Sequence, residues 1–340
     1  MAQVDHTDHT DHTDHTDLTL EHRDYSRPRS VGDYLRLLGT GFAMGSADIV
    51  PGVSGGTMAF ILGIYETLIN AIKSFNLDAI RLAIGLKFRA LFDHIPFTFL
   101  IALGVGLLTA IFALSNVLGA ALEDPAASPL VFAFFGGLIL ASILAIGTKI
   151  SWRPNTLVAL IAGGVFAFLL VGLNPLQDAD HSPPILFISG MIAITAMILP
   201  GISGSFMLLI LGQYAFVLGA VRSFDVVSLA TVALGAAVGI VIFSRVLSFL
   251  LRRYYAVTVA VLVGFMIGSL RKIWEGDPLA DPPIVGANAI PGFEPERIAL
   301  GLALALVGFL LVSFLDHLQS GDNPVFVLFW RPRRAETAGA

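Results

Sequence analysis

A Pro-Gly-x-Ser-Gly step interrupts an apolar stretch of this chain twice, at Pro51 and again at Pro200. Laid over each other 149 residues apart (51 against 200), the surroundings match without a gap: PGVSGGTMAFILGIY falls on PGISGSFMLLILGQY, and further on IKSFNL (Ile72 to Leu77) falls on VRSFDV (Val221 to Val226). After an insertion of about twenty residues in the first copy, Ser115 and Val117-Leu118 align with Ser244 and Val246-Leu247, and Gly136 with Gly264. Proline, glycine, serine and tyrosine are not apolar filler, so their shared register marks an internal duplication.

The duplicated unit belongs in a membrane. Of 340 residues 56% are hydrophobic and only 13% charged, and the mean hydropathy is +0.81; a soluble domain is roughly a quarter charged. Apolar segments lie near 35–50, 52–72, 97–121, 130–148, 155–173, 184–199, 201–221, 228–250, 256–270 and 297–315. Their lengths suit a hydrocarbon core about 30 Å thick. Val325 to Trp330 is too short to span and is expected at the interface.

The net charge of −5 is a property of one tail: residues 1–24 hold seven acids against one base, and removing that −6 leaves the rest of the chain at +1. No nucleic-acid partner is expected of such a body. The DHTDHTDHTDHTD run at 5–17 has no apolar residue to bury and reads as disordered. Its His6, His9, His12 and His15 have no fixed geometry to offer a metal. Expected units are therefore a tail (1–30), a first repeat (31–175), a second repeat (183–316) and a cytoplasmic C-terminal tail (317–340). No apolar h-region precedes the first segment, so no cleavable signal peptide is expected.

Lysine and arginine orient the segments. Arg27, Arg29 and Arg36, then Lys73, Arg81, Lys87 and Arg89, then Lys149 and Arg153, then Arg252-Arg253 and finally Arg331, Arg333 and Arg334 mark the cytoplasmic side. Glu123-Asp124 and Asp178 with Asp180 mark the outside, while Arg222 and the loop of Arg271 and Lys272 run against the rule. Each unit then crosses an odd number of times. The fold class expected is an all-α polytopic membrane protein of two inverted-topology repeats, each a broken, re-entrant hairpin plus three transmembrane helices, with both termini cytoplasmic. The parity holds equally if each broken pair spans fully.

Broken backbone is expensive in lipid unless buried in protein or lining a polar cavity, so the two breaks are expected to meet. A helix start there presents N–H groups and a positive dipole end that favour an anion. The expected substrate-binding set is Pro51, Gly52, Ser54, Gly55, Gly56 and Thr57 with Pro200, Gly201, Ser203, Gly204 and Ser205; small residues for tight helix packing are the competing explanation. Asp48, replaced by Met197 in the second copy, is an intramembrane acid suited to coupling or to capping the helix behind Pro51. Glu66, about 21 Å from Gly52 along a continuous helix, and Arg245, snorkelling toward Arg252-Arg253, are further charge-sensing candidates. Tyr65 and Tyr214 are read as interface anchors. No histidine falls inside an apolar segment, the chain has no cysteine, and no P-loop, GxSxG or HExxH pattern occurs, so an enzyme, a cofactor and a metal site are not expected.

GSADIVPGVSGGTMAFILGIYE (Gly45 to Glu66) and ILPGISGSFMLLILGQY (Ile198 to Tyr214) resemble the PopT family of polyprenyl-phosphate transporters, long catalogued as a bacterial domain of unknown function. The likeness runs over nearly all of Val31 to Asp316. It implies a cytoplasmic-membrane protein that returns undecaprenyl phosphate, or a related polyprenyl phosphate, across the bilayer for cell-envelope synthesis. The implied head-group region is Asp48, Pro51, Gly52, Ser54, Gly55 and Gly56 with Pro200, Gly201, Ser203 and Gly204. Expected partners are that lipid and the surrounding membrane lipids; the oligomeric state is open. An anion channel or small-anion transporter is the alternative, and a lipid phosphatase lacks a visible nucleophile.

Overall fold

The computed structural model describes residues 26–28, 30–50, 53–277, 284–285, 295–321 and 323–327. The histidine-rich tail, Pro51, Gly52, Arg29 and the C-terminal arginines lie outside them. Among the described residues six helices are long and apolar enough to cross a membrane: α6 (Phe97–Glu123), α7 (Ser128–Gly147), α8 (Pro154–Val171), α12 (Val226–Arg253), α13 (Tyr255–Glu275) and α14 (Pro295–Ser320). The chain is therefore a multi-pass membrane protein. Its outer faces agree, since large apolar side chains such as Phe112 on α6 (79% exposed) and Val158 on α8 (66%) point away from the protein.

Two helices lead into the breaks, α1 (Val31–Asp48) and α9 (Pro183–Ile198). Behind each break comes a short pair: α2 (Gly55–Ile61) and α3 (Tyr65–Lys73) meet at 115°, α10 (Gly204–Ile210) and α11 (Tyr214–Ser223) at 108°. The bends fall on equivalent glycines with positive φ, Gly63 (68°) and Gly212 (67°), a conformation costly to residues with a Cβ. The stretch from 52 to 72 is thus not one straight helix, and the 21 Å projected for Glu66 does not apply.

Packing repeats the duplication. α1 runs along α6 as α9 runs along α12, and α7 pairs with α14 as α13 pairs with α8. Each pair is seated on glycines whose added Cβ would strike a carbonyl of the partner: Gly41 against Leu103 and Gly106 against Leu38, then Gly190 against Val232 and Gly235 against Phe187. In the other pairs Gly137 meets Ala305 and Gly308 meets Phe134, while Gly264 meets Leu160 and Gly163 meets Val261. These contacts place Gly137, not Gly136, opposite Gly264 in the internal alignment. The same one-residue correction brings Ser142 onto Ser269, both fully buried.

Three elements depart from the sequence reading. The insertion in the first copy folds as two short helices, α4 (Leu77–Ile84) and α5 (Phe88–His94). A two-residue antiparallel pair, β1 (Gly276–Asp277) with β2 (Ile284–Val285), interrupts the all-helical plan. α13 runs on to Glu275 and α14 to Ser320, past the expected segment ends at 270 and 315, so Arg271, Lys272 and His317 stand in helices; α15 (Pro324–Val327) follows. His317 is buried at the end of α14, beside Phe326 (5.7 Å between centroids).

Candidate functional site

The two breaks meet, and repeat 1 reaches into the backbone of repeat 2. Ser54, the N-cap of α2, accepts from the Gly56 N–H (3.1 Å), and its hydroxyl lies 3.4 Å from the carbonyls of both Met197 and Leu199. Thr57 Oγ1 accepts from the Gly201 N–H (3.1 Å), and Tyr65 donates to the Ile198 carbonyl (3.1 Å). α9 ends at Ile198, so these carbonyls have no helical partner ahead of them. Gly201 has φ +87°, and a Cβ there would come within 2.9 Å of Ser269 Oγ and 3.0 Å of Met266 and Phe265.

The α2 start already holds a carboxyl group. Asp48 Oδ1 accepts from the Gly55 N–H at 2.7 Å. This is the place an external anion would take at a helix N-terminus, and it makes Asp48 a second cap of α2 beside Ser54. Gly55 is small because a Cβ would lie 2.6 Å from that carboxylate, and a Cβ on Gly56 would lie 2.7 Å from the Ile198 carbonyl. Ser54, Gly55, Gly56 and Thr57 are all buried.

The second break is built differently. Met197 replaces Asp48 and Phe206 replaces Thr57. Ser203 makes no capping bond to α10; its hydroxyl pairs with that of Ser205 at 2.7 Å, and Ser205 is exposed. Pro200, Gly201 and Gly204 are buried beneath them, Gly204 against the Ala193 carbonyl. α13 supplies what the sequence reading missed. Buried Ser269 bonds the Met266 carbonyl (2.8 Å) beside Gly201, and one turn on Lys272, 6% exposed, sets its ammonium 4.7 Å from the Phe206 ring centroid. The hydropathy of the segment fades at 270, which put Lys272 in a loop; its spacing of three from Ser269 was the signal for a shared helix face.

The remaining candidates separate. Tyr65 is 3% exposed and bonded, so it is not an interface anchor, whereas Tyr214 is 42% exposed. Glu66 acts electrostatically on Tyr255 at the start of α13. Arg245 joins Arg252 beside Lys73, where α3 packs on α12. A second polar knot ties the 172–182 connection to the α10–α11 bend. Gln213, fully buried, meets His181 Nδ1 (2.8 Å) and donates to the Asp180 carbonyl (2.9 Å), while Leu176 N–H donates to the Ile210 carbonyl (2.9 Å). The Ser182 hydroxyl and amide hold the Asp180 carboxyl below its usual range. Among the described residues no group of three or more metal-binding side chains forms.

Comparison with known proteins bears on these features together. The chain is 44% identical over 304 residues to a polyprenyl-phosphate transporter of Vibrio cholerae, covering 84% of this chain and 96% of the relative. It is 36% identical over 303 residues to a polyprenyl-phosphate transporter of Staphylococcus aureus, covering 83% and 96%. No solved structure matches. Residues 44–281, which hold both breaks, match the family described as VCA0040-like, undecaprenyl phosphate translocase-like; the chain belongs to that family.

Proposed function

We propose that this protein carries polyprenyl phosphates, undecaprenyl phosphate among them, across the cytoplasmic membrane for reuse as lipid carrier, without chemical conversion. The observation that carries the reading is the meeting of two broken helices inside an apolar body, where side chains of the first bond backbone that the second leaves unpaired. The head group is received where the breaks face each other. Asp48 takes the Gly55 N–H and Ser54 the Gly56 N–H at the α2 start, so the accessible partners are the Ser203 and Ser205 hydroxyls and the start of α10, with Lys272 as the nearby cation. The prenyl chain stays in lipid along the apolar outer faces.

The repeats are inverted and their hairpins re-entrant in this reading, and both termini are cytoplasmic. Its support is that segments assigned to one side are found in contact: Arg27 donates to the Asp93 carbonyl (2.8 Å), Lys73 to Ser248 (3.4 Å) and Lys149 to Asp316 (2.7 Å). The test is lipid-phosphate flux by purified protein in liposomes. Movement of undecaprenyl phosphate, reduced by Gly201→Val and Ser203→Ala, is the expected result. Ion current without lipid movement would identify an anion channel instead, and release of inorganic phosphate a lipid phosphatase.

A further inference from the structure

The face between α3 and α12 gathers three cations. On α3, Asn70 and Lys73 lie one turn apart; on α12, Arg245, Ser248 and Arg252 follow at the three-, four- and seven-residue spacing that keeps side chains on one face. The two faces are joined: Lys73 donates to Ser248 Oγ (3.4 Å), and Ser248 donates to Asn70 Oδ1 (3.4 Å). Arg245 and Arg252 both act electrostatically on Lys73. Among the described residues no carboxylate lies within ion-pair distance of these three. Glu66, a turn before Asn70, acts on Tyr255. Like charges held together without a counter-ion repel, and such an arrangement is stabilised when an anion enters.

Three further observations point to a ligand. Both arginines are exposed. Arg245 lies eight residues before the α12 end at Arg253, about 12 Å of helix, deeper than an interfacial arginine needs. The duplication does not require the cluster: the counterparts of Lys73, Arg245 and Arg252 are Arg222, Asn116 and Glu123, so this charge was built on one side only.

We infer that Lys73, Arg245 and Arg252 form a phosphate subsite on the surface where α3 meets α12, separate from the paired breaks, which takes a phosphomonoester. The inference rests on the proposed transport reading for the source of that phosphate, the lipid head group. Guanidinium forks suit phosphate oxygens, and the hydroxyl and amide between them add neutral partners.

The test measures binding of undecaprenyl phosphate, and separately of inorganic phosphate, to the full chain in detergent. Arg245→Gln with Arg252→Gln is expected to weaken lipid-phosphate binding about ten- to a hundredfold and to flatten its salt dependence, with Arg252→Lys recovering part of it. Arg253→Gln, which removes a side chain stacked on Tyr254, is expected to bind as wild type. Competition by inorganic phosphate would assign the subsite to the free anion, and its failure to compete to the lipid head group. Unchanged binding by a monodisperse double variant overturns the subsite alone. A wild-type chain that binds inorganic phosphate through these arginines but no lipid phosphate overturns the transport reading alone, and one that binds neither overturns both.

Discussion

Tyr65 donates its hydroxyl to the carbonyl of Ile198, 3.1 Å away in the opposite repeat, while its counterpart Tyr214 stands 42% exposed. The duplicated residues therefore do unequal work. Tyr65→Phe leaves a buried carbonyl short of a partner and is expected to cost about 0.5–1.5 kcal/mol. Tyr214→Phe is expected to stay within about 0.5 kcal/mol of wild type. Thermal unfolding of both variants in the same detergent checks this, and equal shifts would refute the asymmetry.

Glycine contacts give a matched comparison within one helix. A Cβ on Gly41 strikes the Leu103 carbonyl, whereas one on Gly39 meets nothing within 4 Å. Gly41→Ala should part α1 from α6 and destabilise by about 1–3 kcal/mol, the usual cost of overpacking. Gly39→Ala should be neutral or stabilise by up to about 1 kcal/mol, because alanine is the better helix former.

Lys149 and Asp316 form an ion pair at 2.7 Å, with the Asp316 side chain 5% exposed and Lys149 34%. Asn323 completes the carboxylate through its other oxygen (2.9 Å). Lys149→Met is expected to cost more than the roughly 1 kcal/mol of an exposed pair and less than the 3–5 kcal/mol of a fully buried one, about 1–3 kcal/mol. Adding Asp316→Asn should restore much of the loss by removing the stranded charge, a coupling that a double-mutant cycle of unfolding midpoints would reveal.

The knot at the α10–α11 bend should respond to acid in one direction. The Asp180 carboxyl is held low by Ser182, so its contribution to order in the 172–182 connection is fully present above the ordinary aspartate value of about 3.9 and is lost as pH falls through the lower folded value. Limited proteolysis of this connection is expected to stay constant from pH 8 to about 5 and to rise only in stronger acid. Gln213→Leu should open it at every pH. A cleavage rate for the parent that rises near pH 6 would place the control elsewhere.

Because the chain has no cysteine, single cysteines at Arg81 and at Asp178 report sidedness directly. Labelling by an impermeant reagent from opposite faces of the membrane is expected; labelling of both from one face would end the inverted-repeat proposal.

What the sequence made legible were features with few alternative uses. Proline and glycine punctuate apolar segments visibly, so both breaks, the duplication and the six long helices could be read from it. Less legible was whatever depended on which face a residue presents. Lys272 looked like loop because charge ends an apolar window, although its face of α13 is buried against α10. Tyr65 looked like an anchor because its partner is a backbone carbonyl more than a hundred residues away, which leaves no trace in residue type. The bends at Gly63 and Gly212 were passed over because a single glycine is tolerated within an apolar run. The one-residue slip at Gly136 came from aligning adjacent glycines that only contact across α14 distinguishes.

The glycine seating has a mechanical consequence. A helix that rests its backbone on a neighbour's carbonyl has no clearance for sliding, since a shift of one residue drives a Cβ into the oxygen. The α1–α6, α9–α12, α7–α14 and α8–α13 pairs thus behave as a rigid chassis.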